Sequence, residues 1–149
     1  MGVCSSGGLV GACYPWRDDL APGEAPRLNI WEGVFPTSNT AEDGDVGTAP
    51  LRTFEPNNCG LYQTVGNVWE RTVDRWSSAP VTGPPAGASA PPRGAERVVK
   101  GGSHLGHDSY CSRYQIAART KNTADSSTGH LGLRLAADVS AISQAVASS

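Results

Sequence analysis

Three side chains able to bind a transition metal, those of His104, His107 and Cys111, fall within eight residues of one another. Imidazole and thiolate together hold copper or zinc when a turn brings them to one point. A three-then-four spacing on an extended segment does not force that convergence, and the plainer alternative is that His107 only lines a groove. Cys4, Cys13 and Cys59 bring the cysteines to 4. Their separations fit neither a zinc knuckle nor a Cys-x-x-Cys redox pair, and sequence alone does not pair them. A second cluster is acidic. Glu42, Asp43 and Asp45 surround Gly44, where the backbone can double back, and a solvated turn accounts for those residues without any ion.

The elements that must position these groups are short. Gly 18 and Pro 11 in 149 residues, with 38% hydrophobic and 17% charged, favour one loop-rich domain over a helical bundle. Leu28 to Phe35 reads as a bent strand interrupted by Gly33. Leu61 to Trp76 is the best helical or strand–helix candidate, because Leu61, Val65, Val68, Trp69 and Val73 recur near three- and four-residue spacing. Val98-Val99 predicts a short strand. Ser109 to Arg119 predicts another, with Tyr110, Tyr114 and Ile116 on one face, and Leu131 to Leu135 a third. Ser77 to Glu96 is a Pro/Gly/Ala/Ser tract expected to form a long surface loop, and Val139 to Ser149 a small-residue tail.

A net charge of -2 from 12 basic and 14 acidic residues gives no field of one sign, so nucleic acid is not expected as a partner. No run reaches the length a membrane span needs, and the expectation is a cytoplasmic chain with no membrane partner. Met1-Gly2-Val3-Cys4-Ser5-Ser6 fits the myristoylation pattern, which short sequences also match by chance.

Ordered blocks say more than composition. Asn29-Ile30-Trp31, Asn39-Thr40-Ala41-Glu42-Asp43-Gly44, Gly60-Leu61-Tyr62, Gly66-Asn67-Val68-Trp69-Glu70 and Lys100-Gly101-Gly102-Ser103 precede Ser109-Tyr110-Cys111-Ser112-Arg113-Tyr114. Ala117-Ala118-Arg119, Asp125-Ser126-Ser127 and Leu131-Gly132-Leu133-Arg134 follow. In this order the chain resembles the formylglycine-generating enzymes, or sulfatase-modifying factors. The resemblance implies an α+β, C-type-lectin-like fold with little regular secondary structure. It also implies a domain truncated at its N-terminus, with residues 1–138 forming the C-terminal half and 139–149 a tail. A missing N-terminal half would then be a partner, and apolar surface would be left exposed without it.

The family oxidises a sulfatase cysteine to formylglycine with molecular oxygen, through two cysteines that bind copper(I), and its substrate peptides carry Cys-x-Pro-x-Arg. By resemblance Cys111 is the second of the pair, and the first falls on Gly106. Soft copper(I) wants both thiolates, so this copper-dependent oxidoreductase chemistry is expected to be weak or absent. Ser103, Tyr110 and Trp69 match positions near the metal and the oxygen pocket, Ser103 as a hydrogen-bond donor and Trp69 as a wall. His130 matches a substrate-groove asparagine, and His107 lines the same groove. Two calcium sites are also implied, one from the Asn29 and Asp43 side chains with the Ile30 and Asp45 carbonyls, the other from Glu70 with groups of Gln63, Gly66 and Val68. Gln63 stands where the family carries asparagine, and Arg71 where it favours tryptophan. The alternative function is a non-catalytic, calcium-stabilised binding module or an incomplete gene fragment.

Overall fold

The computed structural model describes residues 4–79, 92 and 94–136. The 139–149 tail and most of the Pro/Gly tract lie outside the described residues, as does the start of the myristoylation pattern. Among the described residues the regular structure is all strand: β1 (Gly33–Val34), β2 (Ser38–Asn39), β3 (Trp69–Arg75), β4 (Glu96–Lys100), β5 (Thr120–Thr123) and β6 (Leu131–Leu133). The strands β1 and β2 form a small antiparallel ribbon. The other four make one sheet in the order β5-β4-β3-β6, in which β3 runs antiparallel to β4 and parallel to β6.

The helix expected within Leu61 to Trp76 is absent. Gly66 at φ 74° and Asn67 at φ 61° place two consecutive residues in the left-handed region, and a right-handed helix cannot pass through them. The chain instead turns there and enters β3. The apolar spacing has another cause: Val65 packs into the core while Trp69 faces a cavity. The bent strand expected from Leu28 to Phe35 shrinks to Gly33–Val34, although Leu28 and Ile30 are buried. Val98 and Val99 lie buried in β4, and β6 covers the start of the expected Leu131 to Leu135 strand.

Ser109 to Arg119 also differs from expectation. It is a run of turns, and β5 begins only at Thr120. Tyr110 is 71% exposed while Tyr114 is 2% exposed, so they do not share a face. Lys100 holds this segment to the sheet. Its ammonium donates to the carbonyls of Ile116 and Ala118, each at 2.8 Å, and burial pulls its pKa below the ordinary lysine value.

The core is a cluster of Tyr14, Leu28, Ile30, Val65 and Tyr114, with Trp16 and Leu20 packed against it. Tyr14 stacks between the rings of Trp16 and Tyr114, at centroid distances of 5.7 and 6.3 Å. Burial pushes the Tyr114 phenol up to about 12. The apolar side chains of Val73 on β3 and Leu133 on β6 stay exposed, with Leu135 just beyond them.

Candidate functional site

Gly101 and Gly102 end β4 with φ values of 88° and 72°, a conformation that other residues adopt only under strain. The chain therefore turns sharply, and Ser103 is delivered to the wall of a cavity of about 420 Å³. A β-carbon on Gly102 would lie 2.8 Å from both the nitrogen and the α-carbon of Tyr114, so the turn packs directly on the next segment's backbone. Ser103 is buried, its hydroxyl accepts from the Leu105 amide at 3.3 Å, and its carbonyl accepts from the Gly106 amide at 2.8 Å. A second turn follows. The His107 carbonyl accepts from the amides of Tyr110 (3.0 Å) and Cys111 (2.6 Å), which folds Cys111 back toward Gly106.

Cys111, Ser103, Tyr110, Trp69 and His130 all line this one cavity, together with Gly106. Cys111 is half-buried, and it supplies the only sulfur among the described residues of the lining. His107 sits outside the lining. Its ring stacks on Phe35 at 6.2 Å, and its Nδ1 is 2.7 Å from the Ser109 hydroxyl and 3.2 Å from the Asp108 carboxylate. His104 is turned away too, with Nδ1 donating to the Asn67 carbonyl at 3.1 Å. No cluster of three metal-ligating His, Cys, Asp or Glu side chains exists among the described residues, so His104, His107 and Cys111 do not converge.

Phe35 and residues of β5 escaped the sequence reading. Phe35 stacks on Tyr110 at 4.7 Å and meets Trp31 edge-on at 5.3 Å, making one rim of the cavity. Lys121 and Asn122 on β5 and the nearby Arg113 line other parts of the wall. The usable signal was Trp31 and Phe35 flanking Gly33. It marks aromatic side chains held beside a backbone turn.

The residues of the first implied calcium set are linked near the Gly66-Asn67 turn, Asn29 to Asn67 and Asp43 to the Ile30 and Asp45 amides. Asn29 is 1% exposed, and its amide nitrogen donates to the Gly47 carbonyl at 2.7 Å and to Asn67 Oδ1 at 3.3 Å. Its Oδ1 is buried without a hydrogen-bond partner. Asp43 accepts from the Ile30 amide at 3.2 Å and the Asp45 amide at 3.0 Å, and burial raises its carboxyl pKa in spite of those bonds. The Asn29 amide oxygen thus lacks a donor, and the Asp43 carboxylate is short of solvation. Gly66 backs onto this group closely, since a β-carbon there would stand 2.6 Å from the Asn29 carbonyl oxygen.

The second implied set is arranged differently. Glu70 is buried, and the guanidinium of Arg134 engages both of its oxygens, with Nε 3.1 Å from each and Nη2 paired to Oε1. Arg134 also donates to the Tyr62 carbonyl at 2.9 Å. The Gln63 Oε1 is buried without a partner, but the amide nitrogen of the same side chain donates to the Pro50 carbonyl. The Glu70 carboxylate already has its counter-charge.

The family model of the Sulfatase-modifying factor enzyme 1-like domain matches residues 2–139. The chain belongs to the sulfatase-modifying factor family. Its curated relatives in that family include a formylglycine-generating enzyme of Streptomyces coelicolor, 52% identical over 89% of this chain and 42% of the relative. Another, of Bos taurus, is 52% identical over 89% of this chain and 35% of the relative. The mouse protein named inactive C-alpha-formylglycine-generating enzyme 2 is 39% identical over 87% of this chain and 38% of its own length. The chain thus spans less than half the length of these relatives. Among solved structures, CarF matches with a TM-score of 0.56 and 21% identity, covering 88% of this chain and 42% of that one, which is a likeness of fold. In this member of the sulfatase-modifying factor family no helix of the described residues is long and apolar enough to cross a membrane.

Proposed function

We propose that the chain is a formylglycine-generating-enzyme homologue that keeps a peptide groove while its cysteine-oxidising activity is weak or absent. One observation carries the reading: the cavity that collects Trp69, Ser103, Tyr110, Cys111 and His130 has a single sulfur among its described residues, and Gly106, five residues before it, carries no side chain. Copper(I) is held by soft thiolates, and the lining does not offer two. The donor set in this chain does not fit the metal.

The remaining residues suit recognition of a sulfatase-type peptide containing Cys-x-Pro-x-Arg. The Phe35 and Tyr110 rings offer apolar faces to the proline and to side-chain methylenes. Ser103 and His130 offer polar atoms to the cavity, and Cys111 offers a thiol. We assign the scaffold to the C-type-lectin-like class, a reading supported by long irregular loops around a small sheet. The exposed Val73, Leu133 and Leu135 support the reading that a further half of the domain packs against β3 and β6.

Calcium belongs to the same reading, at the first site alone. Asn29 Oδ1, the Asp43 carboxylate and the Ile30 and Asp45 carbonyls are the hard oxygens that would hold it, and the unpartnered Asn29 oxygen supports the assignment. When bound, the ion supplies charge that fixes the loop around Gly44 to the core. Glu70, committed to Arg134, is left as a structural ion pair.

The test is incubation of the purified chain with copper(I), oxygen and a Cys-x-Pro-x-Arg peptide, alongside the Streptomyces coelicolor relative. The proposal expects aldehyde in the relative's peptide and little or none in the chain's. Equal aldehyde yields would overturn it.

A further inference from the structure

Away from the cavity, two thiols distant in the chain are held side by side. The Asn57 side chain bridges the backbones of Cys4 and Cys59, and the nearby Cys4 thiol pushes the Cys59 thiol above its ordinary pKa. Both are free and exposed. Their meeting is built by one amide. Asn57 donates through Nδ2 to the Cys4 carbonyl at 2.8 Å and to the Ser5 carbonyl at 3.3 Å, while its Oδ1 accepts from the Cys59 amide at 2.9 Å and the Leu61 amide at 3.1 Å. Asn57 is itself buried, so the clamp is part of the packed structure. Further contacts fix the two strands of chain to each other: the Thr64 hydroxyl donates to the Ser5 carbonyl at 3.0 Å, and Gly7 packs against Asn57 and Asn58. The other two thiols are held elsewhere. The Cys13 amide donates to Asp18 at 3.0 Å, and Cys111 lines the cavity.

We propose that Cys4 and Cys59 are a modification site, the two halves of an intrachain disulfide that ties the N-terminal segment to the Asn57 turn. The oxidant is a small-molecule disulfide of the glutathione class. One cysteine thiolate attacks a sulfur of that disulfide, forming a mixed disulfide and expelling one small thiolate. The second cysteine, deprotonated, then attacks the protein sulfur of the mixed disulfide and expels the second small thiolate. Two thiols have lost two protons and two electrons to one small disulfide, which leaves as two thiols. Closing so long a loop restricts the unfolded chain far more than the folded one, in which Asn57 already holds the two segments together.

The experiment is to equilibrate the folded chain with oxidised glutathione, alkylate the remaining thiols, digest with trypsin without reduction and analyse by mass spectrometry. The expected product joins Met1–Arg17 to Thr53–Arg71, and cleavage after Leu9 then separates Cys4 from Cys13, so the assignment does not depend on a variant folding. Cys13 and Cys111 should be alkylated, the Cys13→Ser variant should crosslink normally, and the Cys4→Ser variant should not crosslink. The oxidised chain should melt roughly 10 °C higher than the reduced one, with the difference abolished by dithiothreitol. Separate glutathione adducts on Cys4 and Cys59, or a bond from Cys59 to Cys13 or to a second chain, would overturn the proposal.

Discussion

Gly106 lies directly against the buried ring of Tyr114, so that a β-carbon added to it would stand 2.8 Å from Tyr114 Cδ1. The same β-carbon would be 3.1 Å from the Ser103 carbonyl oxygen. The position that family resemblance gives to the first of the two cysteines is therefore crowded by an aromatic side chain of the core, which must shift to admit a thiol. Gly106→Ala and Gly106→Cys should each destabilise the chain by about 1–3 kcal/mol, the usual cost of overpacking, read as a lower urea midpoint at unchanged slope. An unchanged midpoint would mean that the Tyr114 ring yields freely.

Gly102 sets Ser103 in place by a turn only glycine makes easily. Its φ of 72° and the 2.8 Å approach to the Tyr114 backbone leave no room for a methyl group. Gly102→Ala should cost more than Gly106→Ala, at least about 3 kcal/mol, because backbone rather than a side chain must move. Comparison of the two urea curves checks the order.

Trp69, Ser103, Tyr110 and Cys111 stand in or beside the ordered blocks and His130 just before the last of them, and the fold brings all five to the lining of one cavity. Local periodicity was less informative. Val65 and Trp69 gave a helical spacing, yet Gly66 and Asn67 break the helix by adopting left-handed φ, a turn signal that the dipeptide offered and the apolar count outweighed. Tyr110, Tyr114 and Ile116 lie an even number of residues apart, as on one face of a strand, but the His107 carbonyl turns the chain at Tyr110 and Cys111 and the Gln115 carbonyl turns it again at Ala118. Trp31 and Phe35 flanking Gly33 marked an aromatic turn, but the contact of Phe35 with Tyr110 joins distant segments and had no local signal.

Calcium should stabilise the chain through Asn29 and Asp43. The Asp43 carboxyl is raised from 3.8 by burial, so its contribution to stability is fully present below that value and is lost as pH rises through the folded-state pKa. A bound dication offsets the cost of the charged form, so calcium stabilisation should grow as pH rises through the same window. At about 100 times its Kd, calcium should add about 2.7 kcal/mol near neutrality. Thermal melts with calcium or chelator at acid and neutral pH check this, and Asn29→Ala should abolish the calcium effect.

Glu70 and Arg134 form a largely buried pair, and breaking it should be costly. Glu70→Gln leaves the guanidinium without its counter-charge and should cost about 3 kcal/mol, reduced by the part of Arg134 that reaches solvent. A double-mutant cycle with Arg134→Met measures the coupling. Calcium dependence should survive in Glu70→Gln if the ion belongs to the Asn29 group.

Copper(I) affinity, measured by competition with a chromogenic chelator, bears most directly on the retained groove and missing dithiol. The Cys4→Ser, Cys59→Ser background removes the thiol pair held together by Asn57, away from the cavity, from the titration. In that background binding should be weak, and adding Gly106→Cys should strengthen it. Tight binding before that change, lost on Cys111→Ser, would contradict the reading of a single-sulfur cavity.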